Sequence, residues 1–99
     1  MICHVVLLKF RNSGDANNIF AKLKNLQSQI EGIVDIRCGK NCSHEGLQKG
    51  FTHGFFVDFI DAAARDAYLH HPAHQKVGAM IVAATEGGMD GIAVIDWKD

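Results

Sequence analysis

The clearest pattern along the chain is an alternation of large apolar side chains with smaller or polar ones over residues 50–60. Alternation with a period of two residues is typical of a β-strand that buries one face. Three further runs rich in apolar residues, 2–10, 33–38 and 92–97, also predict strands. The apolar face of the clearest strand carries aromatic and aliphatic side chains and one histidine: Phe51, His53, Phe55, Val57 and Phe59.

Residues 16–31 show a different periodicity, with an apolar side chain every three or four positions. Lysine and amide side chains take up most of the remaining positions. The segment therefore predicts an amphipathic helix, which we expect to end before Gly32. Its apolar stripe consists of Ile19, Phe20, Leu23, Leu26 and Ile30.

A proline divides the second helical segment. Asp61 is suited to cap a helix over residues 62–69, whereas Pro72 is tolerated at the first position of a helix but not inside one. The residue before a proline is pushed out of the α region, so we expect His71 to be the N-cap of a further helical piece that extends to Ala83. The sequence thus predicts a helix that is broken at this histidine.

The predicted order of elements is strand, helix, strand, strand, helix, strand. This order is typical of an α+β ferredoxin-like βαββαβ sandwich, a four-stranded antiparallel sheet with two helices on one face. The other face of the sheet has no cover in a single chain. Its apolar side chains would include Cys3, Val5 and Leu7, with Ile92 and Val94 as candidates from the last strand. An apolar patch of this kind predicts a homodimer that packs sheet against sheet.

The composition limits the classes of function. The 99 residues form one domain, 1–99, and 47% apolar with 21% charged residues is ordinary for a globular protein. A net charge of −1 supplies no field for nucleic acid or an anionic membrane, so we expect neither partner. The N-terminal apolar run is interrupted by His4 and Lys9, unlike a signal peptide or a membrane span. The three cysteines give no disulfide framework, which predicts a reducing, cytoplasmic location.

Candidate chemistry is concentrated in residues 68–74, which hold three of the six histidines, the only tyrosine and the only proline. A histidine whose pKa is near neutrality can act as a general base, and a tyrosine hydroxyl can donate to a substrate oxygen. We predict Tyr68 and His74 as a catalytic pair, provided that the helix break brings them together. We further predict that His4 and His53 line a ligand pocket between helices and sheet, because both lie among large apolar residues of their strands. Antiparallel pairing of those strands would put them at opposite ends of the pocket.

Two other interpretations of the histidines stay open. In the first, they are hydrogen-bonded core residues that bind no ligand. In the second they bind a metal, since His70, His71 and His74 have helical ligand spacing and Cys38 and Cys42 could add thiolates. The proline break spoils that spacing, no acidic ligand accompanies the histidines and no second cysteine pair is present, so we predict no metal. Glycine motifs that cradle phosphate are also absent, and we predict no cofactor.

Several segments resemble markers of the stress-responsive A/B barrel domain family, also called the dimeric α/β barrel (Dabb) domain. The resemblance covers nearly the whole chain and implies a small ferredoxin-like protein that dimerises into a barrel of two facing sheets. In the family's polyketide cyclase branch, the catalytic tyrosine and histidine correspond to Tyr68 and His74, and two pocket histidines correspond to His4 and His53. The matching segments are residues 4–10, 30–33, 39–41, 50–53 and 68–74.

The resemblance leaves three classes of function open. The leading hypothesis is a dimer that binds a small apolar, aromatic or polyketide-like ligand in a pocket between helices and sheet, and turnover of that ligand stays open. If the protein is an enzyme, we expect cofactor-free proton transfer or aldol-type cyclisation, with His74 as base and Tyr68 as its partner. The alternative is a non-enzymatic stress-response oligomer or ligand carrier, because other members of the family are stress proteins. A monooxygenase-like dimeric barrel is a third possibility, which shares the architecture but not the HPAH motif.

Overall fold

The strands and helices follow one another in the predicted order. The computed structural model describes all 99 residues. The four strands form one antiparallel sheet in the order β2-β3-β1-β4, so the predicted ferredoxin-like fold is confirmed. The elements are β1 Ile2–Leu8, α1 Ala16–Asn25, β2 Ile33–Lys40, β3 His53–Phe59, α2 Ala62–His70, α3 Pro72–Ala84 and β4 Ile92–Lys98, with short 3₁₀ turns at Ser13–Asp15, Leu26–Ser28 and Gly88–Gly91.

The first helix is shorter than the pattern predicts. Regular α-helix ends at Asn25, but Leu26 and Ile30 stay buried. Gly32 then adopts a φ of +89°, and a Cβ there would lie 2.5 Å from the Cβ of Ala64. Only glycine fits both this backbone angle and this close approach. The predicted apolar stripe thus extends beyond the regular helix, because Leu26 and Ile30 still pack in the core.

Local capping builds the break between α2 and α3. The Asp61 side chain accepts a hydrogen bond from the Ala64 amide at 2.9 Å and starts α2. His71 has extended backbone angles, and its Nδ1 accepts the Ala73 amide hydrogen at 3.1 Å. Pro72 occupies the first position of α3. Both predicted caps are confirmed, and His71 uses its acceptor nitrogen to hold the start of α3.

The strand register assigns each side chain to one face of the sheet. Opposite residues of antiparallel strands share a face, and β1 pairs Val6 with Val94 and Leu8 with Ile92. Ile92 and Val94 therefore lie on the helix-covered face, and their prediction as members of the bare face is wrong. The error arises because β4 carries apolar residues at consecutive positions, so its sequence has no alternation to fix its phase.

The face without helices is apolar where β1 and β4 form it, whereas β2 and β3 add Arg37 and Asp58 to it. In β4, Ile95 and Trp97 pair with Val5 and Cys3 of β1, and they take the place of the two mispredicted residues. The exposed fractions are 38% for Leu7, 57% for Ile95 and 47% for Trp97. The name uncovered face is used below for five residues: Cys3, Val5, Leu7, Ile95 and Trp97.

The core lies between the helices and the other face of the sheet. Leu8, Val57 and Phe59 from the strands and Leu23 and Leu26 from the first helical segment are fully buried there. This layer positions the histidines of β1 and β3 beneath the helices, where the sequence predicts them. No helix has the length and apolar character needed to cross a membrane.

Candidate functional site

The helix break places the rings of Tyr68 and His74 against each other. Their ring centroids lie 4.0 Å apart, and their planes are inclined by 38°. Tyr68 is on α2 and His74 is in the first turn of α3. On a straight helix these two positions would be separated by about 9 Å along the axis. The contact therefore depends on the change of direction at Pro72.

Tyr68 is the more deeply buried member of the pair. It is 1% exposed and packs on Phe59 with ring centroids 5.0 Å apart. The His4 ring approaches it edge-on, with centroids 6.1 Å apart. Burial raises the pKa of the Tyr68 phenol above its ordinary value of 10.0. The hydroxyl therefore stays protonated at neutral pH and can donate a hydrogen bond.

His74 is half-buried and lacks a hydrogen bond at one ring nitrogen. Its Nδ1 is buried and has no hydrogen-bond partner. Burial lowers the pKa of the imidazole below its ordinary value of 6.5; the Leu69 carbonyl favours the protonated ring, whereas His4 and His71 disfavour it. At neutral pH the ring is therefore uncharged and able to accept a proton. A buried polar atom without a partner is uncommon in folded proteins, and this one belongs to the ring stacked on Tyr68.

His4 begins a chain of charged hydrogen bonds. Its Nδ1 lies 2.7 Å from Oδ1 of Asp96, and Asp96 Oδ2 accepts a hydrogen bond of 3.0 Å from Arg65. Arg65 also donates to Asp66 at 2.9 Å. Burial alone would raise the pKa of the Asp96 carboxyl, but the hydrogen bonds and charges of His4 and Arg65 outweigh it and lower that pKa below 3.8. The carboxylate accepts the hydrogen of His4 Nδ1, which leaves Nε2 as the ring nitrogen that does not contact Asp96.

We call His4, Tyr68, His74 and Asp96 the Tyr68 cluster. Sequence reasoning missed Asp96 and its partner Arg65. Asp96 interrupts an otherwise apolar strand, and the β1–β4 pairing places it opposite His4. The acidic residue, combined with the strand neighbours of the predicted fold, would have pointed to the pair. Arg65 carries no such signal, because an arginine on an alanine-rich helix is ordinary.

His53 lies at the other end of the same face of the sheet. The register pairs His4 with Val57 and Leu8 with His53. The two histidines are therefore four residues apart along the ladder, or about 13 Å. As the antiparallel pairing predicts, they share a face but stand at opposite ends of it.

The Thr52 hydroxyl fixes the ring of His53. Thr52 Oγ1 donates to the Leu8 carbonyl at 3.2 Å and accepts the Phe10 amide hydrogen at 3.1 Å. It also lies 2.8 Å from His53 Nδ1, so this nitrogen carries the proton and the neutral ring keeps Nε2 as an acceptor. Burial and then the charge of Lys40 lower the pKa of His53 below 6.5. The His53 ring is therefore uncharged at pH 7.

Two cavities flank the His53 end of the sheet. One of about 520 Å³ lies beside α1 and β2, and one of about 570 Å³ lies beside Leu7 and the connection between β2 and β3. Both are lined by Gly39, Lys40 and His53, and neither is lined by a member of the Tyr68 cluster. The predicted single pocket thus corresponds to a packed acid–base cluster at one end and open cavities at the other.

The side chains considered as metal ligands do not converge. No group of three or more His, Cys, Asp or Glu residues is placed to hold a metal ion. Cys38 and Cys42 are free, and the second is exposed. The titratable side chains that do lie together are His4, Tyr68, His74 and Asp96.

Comparison with known proteins agrees with this architecture. Residues 2–99 match the family model described as Stress responsive A/B Barrel Domain. A stress-response A/B barrel domain-containing protein of Arabidopsis thaliana is 32% identical over 95 residues, which cover 95% of this chain and 82% of that protein. Olivetolic acid cyclase of Cannabis sativa is 28% identical over 78 residues, which cover 76% of this chain and 77% of the cyclase.

A solved structure gives the same result for the fold. A dimeric ferredoxin-like protein of unknown function from Jannaschia sp. CCS1 superposes with a TM-score of 0.89 at 36% identity. The match covers 99% of this chain and 98% of that one. The chain therefore belongs to the stress-responsive A/B barrel domain family.

Proposed function

We propose that this protein binds a small carbonyl-bearing molecule at the Tyr68 cluster and catalyses cofactor-free proton transfer of the kind that starts an aldol cyclisation. The observation that carries the proposal is the buried, unpartnered Nδ1 of His74 beside the Tyr68 ring. Leaving a buried acceptor or donor unpaired costs about 1–3 kcal/mol. Such a cost is understandable where a ligand completes the hydrogen bond.

The protonation states of the pair suit this chemistry. The uncharged His74 removes a proton from a carbon between two carbonyl groups, and the Tyr68 hydroxyl donates a hydrogen bond to the resulting enolate oxygen. The enolate carbon then attacks a third, more distant carbonyl carbon of the same molecule, and the proton returns from His74 to the new alkoxide. The similarity to a cyclase supports a polyketide-like substrate.

The two strand histidines are the proposed ligand-binding residues. His4 lies beside Tyr68 and keeps Nε2 for a ligand because Asp96 holds its Nδ1. His53 lies at the other end of the face and lines both open cavities. A ligand that contacts both histidines must span about 13 Å along the sheet.

The functional unit is proposed to be a homodimer. The uncovered face is apolar, and an exposed patch of this kind is usually covered by a partner. The Jannaschia protein, which is 36% identical, is dimeric. A reducing, cytoplasmic location suits the three free cysteines.

Hydrogen–deuterium exchange tests the proposed reaction. Ethyl acetoacetate in D2O reports proton removal from its central carbon by NMR, without knowledge of the natural substrate. We expect the protein to accelerate exchange above buffer, and His74→Gln to remove about 10²-fold or more of the acceleration, the usual contribution of a general base. His70→Gln is the matched control, because His70 is an exposed histidine one turn earlier. Equal rates for wild type and His74→Gln would overturn the proposal.

The second candidate function is a non-enzymatic stress-response oligomer. The close packing of Tyr68, which is 1% exposed, favours it, as does the similarity to the Arabidopsis stress-response protein. In that case His74→Gln would lower the melting temperature while ethyl acetoacetate exchange stays at the buffer rate for every variant. Measuring both quantities on the same samples separates the two functions.

A further inference from the structure

The cavity of about 520 Å³ beside α1 has the size of a small-molecule site. Small side chains on the helix, Ala16 and Ala21, leave its space open, and Phe20 and His53 form an apolar and aromatic wall. Phe20 and His53 are 8% and 6% exposed and lie edge to face with ring centroids 5.9 Å apart. The wall is thus firmly packed, and the lysines Lys24 and Lys40 complete the lining.

The cavity carries uncompensated positive charge. Lys24 on α1 and Lys40 on β2 are among its ten lining residues, and none of the ten is Asp or Glu. Neither lysine takes part in an ion pair. Cys38 and His53 line the same cavity as the two lysines, so both ammonium groups belong to residues of the cavity wall. Two exposed ammonium groups beside an apolar hollow attract an anion whose remaining part is apolar.

We propose that this cavity binds an amphiphile with a single anionic oxygen group, held by Lys24 and Lys40, and an apolar body packed on Phe20 and His53. The inference deepens the proposed function by naming the charge and shape of a ligand. It rests on one part of that function, namely that the protein binds small molecules. Proton transfer at the Tyr68 cluster is not required for it.

Titration with octanoate, followed by backbone amide NMR shifts, tests this site. We expect saturable shifts around residues 16–24 and 38–40. The double variant Lys24→Gln/Lys40→Gln should bind about tenfold more weakly, because each partly exposed ion pair contributes up to about fivefold. Lys22→Gln is the matched control, since Lys22 lies on the same helix but does not line this cavity, and it should bind like the wild type.

Two further ligands and one variant sharpen the test. 1-Octanol should bind more weakly than octanoate, and its affinity should be the same for the wild type and the double variant. Octyl phosphate compares a phosphate head group with a carboxylate, and the one that binds more tightly is the preferred head group. Ala21→Leu fills the cavity and should weaken the binding of both octanoate and octyl phosphate. Ala79→Leu, on the exposed side of α3, should leave both affinities unchanged.

The opposite results would overturn the inference. Equal affinity for octanol and octanoate would show that the charge has no role. If Lys22→Gln weakened octanoate binding as much as the double variant does, the attraction would come from the general charge of the helix and not from this cavity. Octanoate binding and ethyl acetoacetate exchange depend on different residues. Failure of one is therefore distinguishable from failure of the other.

Discussion

Replacing Asp96 by asparagine tests whether the charged hydrogen bonds of His4 and Arg65 stabilise the Tyr68 cluster. The carboxylate receives hydrogen bonds at 2.7 Å from His4 and 3.0 Å from Arg65. A hydrogen bond to a charged group contributes about 1.5–3 kcal/mol, but a quarter of the Asp96 side chain is exposed, which weakens it by screening. Asparagine keeps one neutral acceptor. We therefore expect Asp96→Asn to lower the free energy of unfolding by about 1–2 kcal/mol at pH 7.

The pH dependence of this loss has a definite sign. The folded-state pKa of Asp96 lies below its ordinary value of 3.8, so its contribution is complete above about pH 5 and is lost as the pH falls through 3.8 and below. The difference between wild type and Asp96→Asn should therefore shrink between pH 5 and the acid limit of folding. Urea unfolding at fixed protein concentration measures it, because a dimer's stability depends on concentration.

Asp66→Asn is the control for this prediction. Asp66 also contacts Arg65, but 63% of its side chain is exposed, so its loss should cost less than about 0.5 kcal/mol. If Asp96→Asn were as stable as the wild type at pH 7, or if Asp66→Asn cost as much, the hydrogen-bond chain would have no part in stabilising the cluster.

Three further predictions concern the histidines, the α1–β2 turn and the dimer. His74 and His53 should titrate below pH 6.5 in NMR spectra, because burial lowers both pKa values. The free energy of unfolding should then fall as the pH drops below 6.5, because the unfolded chain takes up these protons first. Titration of either histidine at or above pH 6.5 would contradict this. Gly32→Ala should lower the free energy of unfolding in urea by about 2–4 kcal/mol, since it adds positive-φ strain and a steric clash with Ala64. Adding Ala64→Gly to this variant should relieve the clash but not the strain. A Gly32→Ala variant as stable as the wild type would refute the packing argument. Ile95→Asp should convert the homodimer to monomer in light scattering, and an unchanged mass would place the interface elsewhere.

Most of the fold follows from local signals in the sequence. The alternation from Phe51 to Phe59 predicts β3, and the cap at Asp61 and the proline at position 72 predict α2 and α3. These signals work because capping and proline geometry act within a few residues. Element order then restricts the topology to the ferredoxin-like arrangement.

The phase of β4 could not be predicted in the same way. Its residues Ile92 to Ile95 are apolar at every position, so either face could be the buried one. Only the hydrogen-bonded register with β1 decides that Ile95 lies on the uncovered face. Register is a long-range property, which a short apolar run does not specify.

The candidate site was predictable in part. Tyr68 and His74 are close in sequence, and the proline between them makes their contact foreseeable. Asp96 lies 92 positions from His4 in the chain, and only strand pairing joins them. A pocket beside His53 was predicted, but its lysines and its position between α1 and β2 were not foreseen, because they depend on which side chains of α1 face β2.

The pH–rate profile of ethyl acetoacetate exchange tests the acid–base role of the Tyr68 cluster most directly. With His74 as the base, the rate above buffer should rise with pH through an apparent pKa below 6.5 and then level off, and the rise should be absent in His74→Gln. An unchanged profile in His74→Gln, or a rate no greater than that of buffer, would contradict the account.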